Sequence, residues 1–202
     1  MWARVILGGI VGGVLVFCMG AFNHMVLGLQ GRTLLNVPEC STFSEHVKSR
    51  GLASGLYVFP DMPSDADQKD AAKMSALNER YKAGPSGMLL IAPTGQDMMG
   101  PETLGKELAT NVIAALLASW VVSLAGVEIG FCRRWLAVVL MGIMGWFSLT
   151  ASYGIWYRFP HAFVHDEFLC ALLEWSVAGV AIAAIVRRKA VGAEASQAAA
   201  KS

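Results

Sequence analysis

The sequence predicts an all-α transmembrane four-helix bundle with a small extracytoplasmic α+β domain inserted between helices 1 and 2. Three observations predict it. Hydrophobic residues make up 55% of the 202 and charged residues only 15%, against a usual charged share of about 25% in soluble domains. The apolar residues gather into blocks, each long enough to supply the roughly 20 helical residues that cross a hydrocarbon core. Between the first and second blocks the composition becomes that of a soluble domain. At a mean hydropathy of +0.50 too little polar surface remains to coat a soluble globule. The net charge of +1 gives nucleic acid nothing to bind.

The blocks run over residues 5–29 ("VILGGIVGGVLVFCMGAFNHMVLGL"), 108–131, 135–157 and 168–186. Each must be helical, because lipid offers no partner to an open backbone N–H or C=O. Arg4 precedes the first block, Arg133 and Arg134 separate the second from the third, and Arg187, Arg188 and Lys189 follow the fourth. Placing these groups in the cytoplasm satisfies the positive-inside rule and puts both termini inside. The expected order is helix 1 over 1–29, an extracytoplasmic cap over 30–104 and helix 2 over 105–131. A cytoplasmic turn and helix 3 follow over 132–157. Residues 158–189 supply an outer turn, helix 4 and a basic stop, and 190–202 a disordered, Ala-rich cytoplasmic tail. Only Arg158 opposes this arrangement in the short outer turn. The first block exceeds a signal-peptide core and no A-x-A-like site follows it, so it reads as an uncleaved anchor.

In the cap, "TFSEHVKSRG" reads as a short helix with Thr42 and Glu45 as a capping box and Gly51 as a left-handed stop. "GLYVFP" and "GMLLIAP" read as strands. Between them a helix starts at Ser64 as cap and stops at Gly84-Pro85, and Pro101 opens the second membrane helix. Of the four cysteines only Cys40 falls in the cap, so no disulfide staples it to itself. No C-x-x-C supplies a paired thiol for exchange chemistry.

The candidate site residues are those that break the apolar pattern. "YRFPHAFVHDEF" (157–168) gathers two histidines, an arginine and two acids. In one reading it is an interfacial turn, with Asp166 and Glu167 drawn to the positive end of a helix dipole. In the other, His161 and His165, spaced i, i+4, join His24 to hold a divalent metal with a carboxylate; a haem between His24 and His165 is the alternative. Glu174 lies within the fourth block, where an acid faces protein or water. Asn23, Glu107, Asn111, Glu167 and Glu174 then form an intramembrane polar cluster. Glu174 either locks helices together through Asn111 or Ser148, or exchanges a proton or ligand. Gly8, Gly9, Gly12 and Gly13 form two overlapping G-x-x-x-G motifs for close helix packing, within the bundle or with a partner.

The run "GLYVFP", "YKAGPSGMLLIAPTG" and "TNVIAALLAS", after a glycine-rich first span ending near "NHM", resembles a group of uncharacterised small bacterial membrane proteins. The resemblance extends to Leu124 and implies a bacterial inner-membrane protein, with no activity, cofactor or site residue attached. The sequence shows no nucleotide loop, nucleophile motif or redox pair. The expectation is therefore a non-enzymatic accessory or scaffold subunit, without a cofactor. Its partners would be the lipid bilayer and another membrane protein or a second copy of itself. The alternative is a small membrane enzyme or proton- or ion-coupled protein using the polar cluster or a metal.

Overall fold

The computed structural model describes residues 1–95, 97–125 and 129–187. Along the chain run α1 (Trp2–Met25), α2 (Cys40–Ser49), β1 (Gly55–Phe59), α3 (Ala71–Ala83), β2 (Gly87–Ile91), α4 (Pro101–Leu124), α5 (Phe131–Ser148), α6 (Thr150–Trp156) and α7 (His161–Ile185). Among the described residues four helices are long and apolar enough to cross a membrane: Trp2–Met25, Pro101–Leu124, Phe131–Trp156 and His161–Ile185. Contacts divide the chain into two units. One holds Met1–Leu34, Asp97–Gly154 and the chain from Phe159 on; the other holds Leu35–Gln96 with Ile155–Arg158. The second unit thus takes in the end of α6 and the start of the turn before α7.

The helical unit is ordered by its glycines. In α1, Gly9 and Gly13 lie against the backbone of α4: a Cβ at Gly13 would sit 2.4 Å from Val112 Cα, and one at Gly9 2.7 Å from Leu116 Cα. Gly8 and Gly12 instead meet Val186 and Ile182 of α7, at 2.7 and 2.8 Å. The two motifs therefore serve two neighbours, and α1 sits between α4 and α7. On the far side of α7, Gly142 of α5 makes room for the Trp175 indole. Trp135 Nε1 donates to the Ser176 carbonyl at 3.0 Å and Trp146 Nε1 to the Val164 carbonyl at 3.1 Å, pinning α5 along α7. Val5, Ala115, Ala118, Val122, Val138, Ile182 and Val186 close the core where all four spans meet.

Inside and outside are inverted relative to a soluble bundle. Small residues are buried, while Ile6, Leu7, Ile113, Leu117, Leu140, Met144 and Phe147 point outward. Helices in lipid associate by close packing of small residues rather than by hiding large apolar ones, and this distribution is the one a bilayer selects. Arg4, Arg134 and Arg187 gather at one end. Arg4 Nη1 donates to the Arg187 carbonyl at 2.6 Å, and Arg134 donates to the carbonyls of Ala183 and Ile129. Cationic side chains there satisfy orphan carbonyls and oppose the negative end of the α7 dipole.

Several boundaries differ from the sequence reading. α1 stops at Met25, four residues short, where Val26 and Leu27 bond back to Phe22 and Gly28 turns the chain at φ +64°. α4 ends at Leu124 with Ala125 extended. The third span is interrupted at Leu149, between α5 and α6. Ser148 Oγ donates to the Gly145 carbonyl at 3.1 Å, a back-bond that bends helices. α7 begins at His161, seven residues earlier than expected, with Pro160 as its cap rather than its breaker. Arg188, Lys189, the tail 190–202 and residues 126–128 lie outside the described residues.

In the second unit β1 and β2, both expected as strands, pair antiparallel from Gly55↔Ile91 to Phe59↔Gly87. α2 starts at Cys40 behind a left-handed Glu39, so Thr42 lies within the helix and the expected capping box does not form. Gly51 stops it at φ +60°. The α3 cap is Asp70, which accepts from the amides of Ala72 and Lys73 at 2.9 and 3.2 Å. Ser64 organises the preceding turn instead, donating to Asp67 and accepting from its amide. Lys73 first, and Ser64 with it, hold the Asp67 carboxyl below its usual range.

Candidate functional site

The spans bring six polar residues from distant parts of the sequence to one cavity of about 420 Å³. His24 comes from α1, Gln30 from the turn after it, Glu107 and Asn111 from α4, and Glu167 and Glu174 from α7. Met25 and Met99, too far apart in sequence to be read together, also line it. Among the described residues, no lysine or arginine lines this cavity beside the three carboxyl groups.

Each side chain is placed by its element. Glu107 and Asn111 are one helical turn apart, and Asn111 Nδ2 donates to Glu107 Oε1 at 3.1 Å. Glu167 and Glu174, seven apart, share a face of α7. Glu174 is thirteen residues past the first residue of α7, roughly 20 Å along its axis at about 1.5 Å per residue. Gly20 leaves space for this carboxyl: a Cβ there would lie 3.4 Å from Glu174 Oε1. The partner of Glu174 is neither Asn111 nor Ser148, as expected, but Asn23. Asn23 is fully buried, and its Nδ2 donates to Glu174 Oε1 at 3.1 Å. The Asn23 Oδ1 is buried without a hydrogen bond.

A strap closes one side. After α1 the chain makes a 3-10 turn, Gly31–Thr33. Gln30, in left-handed backbone at φ 65°, donates Nε2 to Glu167 Oε1 at 2.6 Å and its own amide to Asp166 Oδ2 at 3.3 Å. Arg32 grips the same Asp166 with two nitrogens, Nε to Oδ2 at 2.7 Å and Nη2 to Oδ1. Asp166 therefore does more than sit at a helix N-terminus. It is a fully buried acid that anchors the strap. Sequence reasoning missed Arg32; the only signal was an unassigned cation shortly after a span.

The histidines do not assemble. His24 lines the cavity. His165 lies largely exposed beside Asp166, Nδ1 to Oδ1 3.5 Å, and His161 is the first residue of α7, also exposed. Among the described residues no group of three or more His, Cys, Asp or Glu side chains is placed to hold a metal ion. Comparison with protein-family models, with curated proteins and with solved structures gives no match.

Proposed function

We propose that this is a multi-pass inner-membrane protein, with both termini cytoplasmic and the 35–96 unit outside, whose acid-lined cavity takes up a cation. The cavity carries this reading: Glu107, Glu167 and Glu174 face one space within spanning helices, and its polar wall is completed by amides and a single imidazole. Carboxylates removed from water must be neutralised by protons or by a bound cation. Two kinds of occupant fit, a small metal cation or a protonated amine. The Asn23–Glu174 pair suits exchange. As placed, the amide donates to a carboxylate; turned over, its unpartnered Oδ1 accepts from a protonated carboxyl.

Glu174→Gln separates this reading from a lock, because it keeps an acceptor for Asn23 and removes the charge. Purified protein is expected to gain thermal stability with at least one small cation or primary amine. The gain should approach about 2.7 kcal/mol at a hundredfold excess over Kd and vanish in Glu174→Gln. A wild-type protein indifferent to every cation tried, or an unchanged response in the variant, would contradict the proposal.

A second reading, an accessory subunit that meets another membrane protein or its own copy, is favoured by a different surface. Leu56 and Leu90 face each other across the sheet and are 64% and 77% exposed. The α1 glycines, by contrast, are already occupied by α4 and α7. Mild extraction of native membranes that recovers the protein alone and monomeric would remove this reading.

A further inference from the structure

A second pocket, independent of the acidic cavity, lies wholly within the unit formed by Leu35–Gln96 and Ile155–Arg158. It encloses about 250 Å³, and Val58, Met62, Tyr81, Trp156, Tyr157 and Arg158 supply much of its wall. Its charge is unbalanced. Arg158 has one long contact, Nη1 donating to Ser86 Oγ at 3.4 Å, and among the described residues it makes no ion pair. The backbone at Arg158 is left-handed, φ 56°, a conformation that glycine would adopt without strain. Strain of this kind is kept where the side chain serves a purpose. Trp156, 77% exposed, and Tyr157 end the third span, the position at which aromatic side chains meet lipid headgroups. In the proposed orientation Arg158 also runs against the charge rule for an outer turn, so a basic residue stands where topology gives no reason for one.

We propose that this pocket holds the headgroup of an anionic phospholipid of the surrounding bilayer. The phosphate accepts hydrogen bonds from the Arg158 guanidinium and the Ser86 hydroxyl, and the glycerol and first acyl carbons lie against Trp156 and Met62. A planar, permanently charged fork suits phosphate, and the apolar wall suits the part of a lipid that free phosphate lacks. The site depends on the membrane reading but not on what fills the acidic cavity.

The test uses the full-length protein in neutral detergent, offered equal amounts of phosphatidylglycerol and phosphatidylcholine and weighed by native mass spectrometry. The wild type is expected to retain phosphatidylglycerol over phosphatidylcholine by about tenfold, because both lipids offer the phosphate but choline sets a second cation close to Arg158 and offsets its attraction. Arg158→Gln should lose the preference, and Arg158→Lys should keep part of it. Arg158→Gly is the informative control: it relieves the left-handed backbone, so the protein should be at least as stable and still lack the preference. Equal retention of both lipids by the wild type, an undiminished preference in Arg158→Gln, or displacement of the lipid by an equal concentration of inorganic phosphate would each overturn the proposal.

Discussion

Gly13→Leu is expected to split α1 from α4 and abolish the folded bundle, and Gly13→Ala alone to cost about 1–3 kcal/mol. The atoms that a new Cβ would meet decide this. At Gly13 they are Val112 Cα at 2.4 Å and Val112 N at 2.7 Å, backbone atoms that move only if the helices part. Gly9 is held in the same way by Leu116. Gly12 meets side-chain rather than backbone atoms, Ile182 Cδ1 and Cγ1 at 2.8 Å and Ala115 Cβ at 3.4 Å, so Gly12→Ala should cost less. Gly105 and Gly145 have nothing within 4 Å of an added Cβ, and alanine there should be neutral or stabilise by about 0.5–1 kcal/mol, the usual penalty of a helical glycine. Thermal unfolding of the purified variants, followed by helical circular dichroism, checks the series. A Gly13→Ala protein that melts with the wild type would mean that α1 does not pack on α4 through this face.

Arg32→Gln is expected to release the strap, and to do so more completely than Asp166→Asn. Exposed ion pairs contribute little, and the Arg32 side chain is 58% exposed. Asp166, however, is 0% exposed. Removing the arginine strands a buried carboxylate with one amide donor and a distant imidazole, whereas removing the charge of Asp166 returns Arg32 to solvent. The double variant Arg32→Gln with Asp166→Asn should therefore recover much of what Arg32→Gln loses. Amide hydrogen exchange across residues 29–34 reads this directly, with rates rising at least about tenfold in Arg32→Gln as the segment opens locally. Equal losses in both single variants would contradict the asymmetry.

These two predictions mark what was legible in the sequence and what was not. The spans were legible because apolar length is a local property, and so were both strands, the stop at Gly51 and the proline opening α4. Helix ends were read less well. The start of α7 was hidden because Pro160 looks like a breaker when it is a cap, and Thr42 looks like a cap when it lies inside α2. Of the polar cluster, Glu107, Asn111, Glu167 and Glu174 line one cavity, and Asn23 touches Glu174. Its pairings were not legible, because Asn23 and Glu174 are joined by the antiparallel docking of α1 on α7, and no local pattern encodes that. The same holds for Arg32 on Asp166. Spacing alone is also silent on the three histidines: i, i+4 aligns His161 with His165 but does nothing to bring His24 to them, and among the described residues no group of three metal-ligating side chains forms.

The proposed function is tested most directly through the topology it assumes, with residues 35–96 outside the cell and Arg4, Arg133, Arg134 and Arg187 in the cytoplasm. Two native cysteines report on it most directly, since Cys40 and Cys132 are both exposed and belong to opposite sides in this account. Variants retaining one or the other should be treated, in intact cells, with a maleimide that does not cross membranes. Labelling of Cys40 in intact cells, with Cys132 reacting only after the membrane is opened, is the predicted result. Labelling of Cys132 from outside, or protection of Cys40, would contradict it.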